Sequence, residues 1–523
     1  MKLRLLTILF FIAISSCVSV KKHNEQISKL HAVKDLRKDI DELYLDLKKY
    51  HPKLYQYKSK EVLDYKFDSL KKSINKPLNS REFYRKTATI IAQMGHGHTS
   101  INPPEKKRTK EERKLYVKQK NEFNTLGFES LNKKIFISGV QKSDSLLLGA
   151  QVLKINNESI SDILVNYRKT FSSDGFNTTF YDKVIGKHFK KLYLKNNGRV
   201  DSVQLTLKIK DSLFNKTFKK VLRKRIKRTD VQKDSVKIKL NKKEKKAKKI
   251  ARKKRRKYNK IHGYNYEDKT YNRNLKFIGK DTTVAYIKIR SFSKGNYKDF
   301  YKQTFTELAN KKTQILIIDL RYNGGGRALE INNLYSYLAD KEFQFFTRSE
   351  VNTRIPVLKA IMTNTTTIYS KIIVGFASPF VAFYRAFKVE KENGQLYFNY
   401  KTKVQQPNPL NFKGKIYVLI NGYSYSASAI LASHLQGSKR AFFVGEETGG
   451  SYNGTVAGFM REHELSNSKV KIRFGVMHLA APYKQKPDGY GIKPDVEITP
   501  TIKDRLSKTD PELDWILKDL ESK

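Results

Sequence analysis

A single cysteine, Cys17, occurs in 523 residues, which excludes an intramolecular disulfide framework and any zinc site built on several thiolates. Acidic residues are scarce beside basic ones: 50 Asp plus Glu stand against 105 Lys plus Arg, for a formal charge of +55. The apolar stretch Leu5 to Ile14 falls well short of the roughly 20 residues that a spanning helix needs. What the chain does have is 39% apolar residues and 12% aromatics, mostly Tyr and Phe. That is enough to bury at least one sizeable core and excludes a wholly disordered chain. The length implies two or three domains.

The N-terminus reads as a targeting segment, with Lys2 and Arg4 ahead of the apolar stretch. It ends Ile14-Ser15-Ser16-Cys17, which resembles a bacterial lipobox, and the sole cysteine stands where the lipid would attach. Residues 1–17 are therefore expected to be a lipoprotein signal peptide and 18–29 a polar tether, giving an exported chain anchored by Cys17 to a membrane of the cell envelope. Residues 30–100 read as a helical domain, with Leu36, Ile40, Leu43 and Leu47 at helical spacing. Its last helix is predicted over Ser80 to Met94, with Ser80 as cap candidate, running into Gly95-His96-Gly97-His98-Thr99.

Residues 122–212 show short alternating segments. A strand at Val152 to Ile155, an Asn156-Asn157 turn and a helix from Ile160 to Lys169 look like a PDZ-type module, whose groove accepts an added peptide strand. Residues 213–270 are set apart as a basic insertion: between Lys216 and Lys260 lie 24 Lys or Arg and three acidic residues. Its densest part, Asn241 to Lys260, can pack no core and reads as a solvated or helical insertion. Tyr258 is its one stacking aromatic and the chain reads as exported, so nucleic acid is disfavoured as a partner; anionic head groups or envelope polymers are more accessible.

Residues 271–508 follow an α/β pattern. Strands are predicted at Thr283 to Ile289, Ile315 to Leu320 and Lys415 to Ile420, and helices at Tyr297 to Ala309, Ala328 to Ala339 and Ser428 to Leu435. Sites in such sheets are built at strand carboxyl ends, which directs attention to Arg321 to Arg327 and Asn421 to Ser428. The second turn, Asn421-Gly422-Tyr423-Ser424-Tyr425-Ser426-Ala427-Ser428, can offer a serine nucleophile at a helix N-terminus, although serine is also an ordinary helix cap. The first, Asp319-Leu320-Arg321-Tyr322-Asn323-Gly324-Gly325-Gly326, lets the backbone approach a ligand closely and lacks the Lys-Ser/Thr ending of a phosphate-binding P-loop. Residues 509–523 read as a C-terminal helix with Pro511 in its first turn.

In order along the chain, His98 in its Gly-His-Thr turn, the PDZ-like module, Asp319 to Gly326, Ser424 to Ser428, Val444-Gly445-Glu446-Glu447-Thr448-Gly449-Gly450 and Gly489-Tyr490-Gly491-Ile492-Lys493-Pro494-Asp495 together resemble the tail-specific, or C-terminal processing, serine proteases and their tricorn-core relatives. The resemblance covers Leu30 to the C-terminus apart from the basic insertion. It implies a multi-domain α/β protein: a helical N-terminal domain, a PDZ-like module and a ClpP/crotonase-like protease core.

Carried onto this chain, the resemblance makes Ser426 the nucleophile, with Ser424 and Ser428 as alternates. The backbone N–H of Ala427 and of a glycine among Gly324 to Gly326, foremost Gly325, would form the oxyanion hole. Members with a Ser-Lys dyad carry a lysine about 25 positions after the nucleophile, where this chain has Ser451. The base is then expected to be His98, as in the tricorn-like branch, with His96 as runner-up; Glu446 and Glu447 are candidates for the orienting acid, and the sequence does not choose between them. The implied activity is a membrane-anchored serine endopeptidase acting on polypeptides, C-terminal segments among them, through an acyl-enzyme without metal or cofactor. The competing reading is a non-catalytic peptide- or lipid-binding pseudoprotease of the envelope, since folds of this family also occur as binding proteins.

Overall fold

Strands Ile315–Asp319 and Lys415–Ile420 are apolar at nearly every position, the pattern of strands covered on both faces. The computed structural model describes residues 19–223, 241–279, 281–293, 295–374 and 388–522; the lipobox with Cys17 lies outside the described residues, as does part of the basic stretch. The two apolar strands are the centre of a six-stranded sheet in the order Arg273–Ile278, Val284–Ile289, Ile315–Asp319, Lys415–Ile420, Phe442–Gly445, Val496–Glu497. The first strand runs antiparallel to its neighbour and the remaining five are parallel. Side chains alternate as the pleat requires. Leu316, Ile318, Ile416, Val418 and Ile420 pack under helices Tyr297–Asn310, Ala328–Ser336 and Ala427–Gly437, while Ile317, Tyr417 and Leu419 face Ile516 of the C-terminal helix Pro511–Glu521.

Helices Val33–Tyr50, Lys60–Ser73 and Ser80–Ala92 bury Leu36, Ile40, Leu43 and Leu47 with Phe83, Ala88 and Ile91 in a second core. That core is shared with the hairpin Thr455–Glu464/Lys471–Leu479, through Ile472, Phe474 and Val476. The helix expected from Ser80 is capped one residue earlier: Asn79 accepts from Arg81 and Glu82 N–H and forms a capping box with Glu82, while Ser80 is buried against His31. After the helix, strand Ser100–Asn102 joins the hairpin, with Ile101 opposite Ile472. The histidine turn is thereby held between a helix and a strand.

A third core lies under an antiparallel sheet ordered Gln119–Asn121, Ser212–Leu222, Ser202–Ile209, Gln151–Ile155, Lys134–Gly139, Gly127–Leu131. Peptide capture by strand addition at Val152 to Ile155 meets an obstacle here. That strand is interior, paired with Lys134–Gly139 on one side and Ser202–Ile209 on the other. The outer strand Gly127–Leu131 is in turn covered by helix Thr179–Asn197, pressed so close that a Cβ at Gly186 would lie 2.4 Å from Ser130 N. The described part of the basic insertion is one helix, Lys242–His262, capped by Asn241 and ended by Gly263 with φ +65°. Every residue from Lys242 to Tyr258 is exposed. No helix among the described residues is long and apolar enough to cross a membrane.

Candidate active site

The turn after Lys415–Ile420 folds as it does because small and amide residues satisfy its backbone from within. Asn421 Oδ1 accepts the N–H of Tyr322 and of Tyr423, both at 3.0 Å, tying together the two strand exits singled out above. Ser424 is fully buried, accepting from Asn421 N and donating to Leu320 O, so it holds the turn. Ser428 is buried inside helix Ala427–Gly437. Ser426, between them, has φ +58° and ψ −120°, a conformation that costs a residue with a side chain on the order of 1–3 kcal/mol. It turns its hydroxyl toward His98, whose Nε2 lies 3.0 Å from Ser426 Oγ.

His98 is fixed from its other nitrogen. Nδ1 lies 2.9 Å from Tyr425 Oη and 3.0 Å from Thr455 Oγ1. Tyr425 Oη donates its one hydrogen to Asp174 Oδ1 at 3.1 Å, so toward His98 it can only accept. The imidazole therefore carries its proton on Nδ1 and presents the Nε2 lone pair to Ser426. Asp174 also accepts the Gly97 N–H at 2.9 Å, and its charged form is favoured by the Thr455 hydroxyl. Gly97 can only be glycine, because a Cβ there would lie 2.3 Å from Tyr425 Oη. Burial lowers the pKa of His98 below the ordinary imidazole value, opposed by the charge of Asp174; burial likewise raises the pKa of Asp174.

Asp174 is the residue that sequence reasoning missed. It stands in Ser172-Ser173-Asp174-Gly175, which reads as a solvated turn but is buried and stitched across the molecule. Ser172 Oγ donates to Ala92 O, Gly175 N to Gly95 O, and Asn177 Nδ2 to Thr448 O. Glu446 and Glu447, expected as orienting acids, are both spoken for elsewhere. Glu446 pairs with the buried Lys183 at 2.8 Å, and Glu447 Oε1 accepts the Gly491 N–H at 2.6 Å. His96, the alternative base, is buried with its ring against His51 and Tyr57, and burial pushes its pKa down to about 4. Ser451, at the lysine position, is buried and bridges Gly491.

The glycine loop packs directly on the serine. Gly325 has φ +96°, and a Cβ there would lie 2.7 Å from Ser426 Cβ. Its N–H, expected to face the site, donates instead to Asn323 Oδ1 at 2.9 Å. Ala427 begins its helix, where a backbone N–H has no intrahelical acceptor and remains available. A cavity of about 380 Å³ opens beside Ser426, walled by Ile331, Ile430, Phe459, Met477 and Leu479, with Lys401 also lining it. No cluster of metal-ligating side chains occurs among the described residues.

A serine hydroxyl on a neutral imidazole, an oriented second nitrogen and a helix N-terminus together can carry out acyl transfer. Comparison with known proteins agrees. Residues 283–498 match the model of peptidase family S41. The tail-specific protease of Haemophilus influenzae is 30% identical over 181 residues, 35% of this chain and only 19% of that protein's length. In fold, the chain is similar to mature CPAF complexed with lactacystin, with TM-score 0.59 and 14% identity over 93% of this chain and 98% of that one. It is similar also to mature CPAF in a second structure, with TM-score 0.58 and 15% identity over 92% and 96%. Through its core, residues 283–498, the chain is thus similar to peptidase family S41.

Proposed function

We propose that the protein is a serine endopeptidase of the cell envelope that hydrolyses polypeptides through an acyl-enzyme. The observation that carries this reading is the 3.0 Å contact between Ser426 Oγ and His98 Nε2, on the nitrogen left unprotonated by the Tyr425–Asp174 pair. Ser426 Oγ attacks the scissile carbonyl while His98 Nε2 takes its proton; the imidazolium then returns that proton to the leaving amine, and water repeats the sequence on the ester. Asp174 is a positioning residue. Its charge stabilises the imidazolium through the hydroxyls of Tyr425 and Thr455, which suits a base whose own burial disfavours the charged form. The Ala427 N–H is the ready oxyanion donor. The Gly325 N–H becomes the second when it leaves Asn323 Oδ1, so substrate binding completes the hole.

The apolar wall of the cavity beside Ser426 suits an apolar side chain next to the scissile bond. A lipid on Cys17 would hold the enzyme at a membrane; fatty-acid labelling that disappears in Cys17→Ala checks that part.

The test of the activity uses purified protein, wild type against Ser426→Ala and His98→Ala, on an unfolded protein and on peptides varied at their C-termini. Both substitutions should lower kcat/KM by at least about 10²-fold with circular dichroism unchanged. A wild type that cuts nothing, or a Ser426→Ala variant that cuts equally well, sinks the peptidase reading in favour of a binding protein.

A further inference from the structure

A second cavity, of about 530 Å³, lies at the foot of the basic helix Lys242–His262. Its wall carries three cations, Arg256, Lys260 and Arg273, and no Asp or Glu among the described residues. Arg273 is the unusual one. It is 1% exposed, its guanidinium lies 4.0 Å over the Tyr297 ring and is also engaged by the Tyr297 side chain, and Nη2 donates to Lys260 O at 3.3 Å. Its Nε has no hydrogen-bond partner, and no ion pair to it occurs among the described residues. Glu330, whose charge acts on Arg273 from a distance, is itself paired with Arg327 at 3.1 Å. A buried guanidinium is normally matched by a carboxylate and further acceptors, so this one has capacity to spare.

Two glycines let the backbone approach the guanidinium closely. A Cβ at Gly263 would lie 2.9 Å from Arg273 Nη1, and one at Gly295 would lie 3.0 Å from Nη2. The Asn272 amide lines the same wall. Above the cavity, the helix extends about 32 Å and carries 13 Lys or Arg against one Glu from Lys242 to His262. Such a charge density raises the local concentration of anions at its base. A fork of N–H donors with two further cations fits a tetrahedral oxyanion carrying more than one charge better than a single carboxylate.

We propose that this cavity is a phosphate-binding site, with Arg273 as its floor, Arg256 and Lys260 at its mouth, and the basic helix gathering phosphate-bearing ligands to it. The phosphate can come from a lipid head group in an anionic bilayer or from a free phosphate or its esters. Either source would present the same group to the same three cations.

The experiment uses the full chain in neutral detergent for calorimetry with inorganic phosphate and pyrophosphate. The same chain is reconstituted for co-flotation with phosphatidylcholine vesicles with and without phosphatidylglycerol. Arg256→Gln/Lys260→Gln alters only exposed side chains and should fold; Arg273→Gln tests the floor. Wild type should bind pyrophosphate, and each variant should bind it at least tenfold more weakly. Lys245→Gln/Lys246→Gln/Lys248→Gln/Lys249→Gln, remote from the cavity, should weaken pyrophosphate binding less than about threefold, far less than either cavity variant. A preference for phosphatidylglycerol vesicles that Arg256→Gln/Lys260→Gln loses assigns the phosphate to lipid; pyrophosphate binding without that preference assigns it to a soluble ester. Binding of neither pyrophosphate nor anionic vesicles overturns the proposal. So does binding that Arg256→Gln/Lys260→Gln leaves intact, because the helix charge alone would then account for it.

Discussion

Proton counting at His98 makes the site testable one atom at a time. Removing the Tyr425 hydroxyl takes away one of two acceptors for His98 Nδ1–H while Thr455 remains, so Tyr425→Phe should lower kcat on the order of tenfold. Asp174→Asn removes the charge that supports the imidazolium and should lower kcat on the order of 10²-fold. It should also shift the acid limb of the kcat/KM profile. Asp174 raises the pKa of His98 against the lowering by burial, so without it the limb moves to lower pH; a limb that stays put would show that Asp174 only packs. Ser426 and His98, which the fold brings within 3.0 Å of each other, stand out in the sequence because each sits in a short turn with its own pattern. Asp174 could not, because the partners that bury it, Gly97, Tyr425 and Thr455, are remote in the chain. Glu446 was attractive as a carboxylate after a strand; the competitor that claims it, Lys183, lies on a helix of another core.

Among the elements, the two strand-exit turns depend on one another. Gly325→Ala would force a side chain into φ +96° and against Ser426 Cβ, so activity should fall by about 10²-fold or more while the far-ultraviolet spectrum is retained. The Asp319-to-Arg321 exit is clamped from behind. Arg321 is bonded to Asp319, to the helix cap Asp510 and to Glu512 of the C-terminal helix, and the charges of Lys288 and Arg321 together hold the Asp319 carboxyl well below the usual range. Arg321→Met would leave Lys288 on Asp319 but take the cation from Asp510 and Glu512, and should cost about 3 kcal/mol in urea unfolding. A helix that reads from sequence as a docked tail is thus a brace for the glycine loop. Apolar periodicity made the inner strands of the central sheet legible to within a residue or two, as at Lys415–Ile420, and helix Tyr297–Asn310 likewise; the outer strands Arg273–Ile278 and Val496–Glu497 were not, and the helix from Ala328 ends at Ser336 rather than Ala339. Strand Ser100–Asn102 was not legible: three residues carry no periodicity, and its pairing partner is Lys471–Arg473. The same limit applies to Val152–Ile155, whose sequence gives a strand but not the number of its neighbours.

At the scale of the whole molecule, acid should unfold the protein from inside. His51, His96 and His478 are buried together, and burial pushes His96 to about 4 and His478 to about 3. Both folded values lie below the ordinary 6.5, so the unfolded chain takes up protons first. Their stabilisation is complete above about pH 6.5 and drains as pH falls toward the folded values, about 2 kcal/mol each by pH 5. Tm should fall steeply between pH 7 and 5, and His478→Gln should make that fall shallower; an unchanged slope would show that other groups govern it.

Ser426 and His98 are separated by 328 residues, and Asp174 and Tyr425 by 251. During synthesis His98 leaves the ribosome long before Ser426 exists, and the Thr455 hydroxyl beside the His98 ring comes later still. No fragment ending before the hairpin can hold the set together. The proposed set therefore cannot assemble until the last third of the chain has folded.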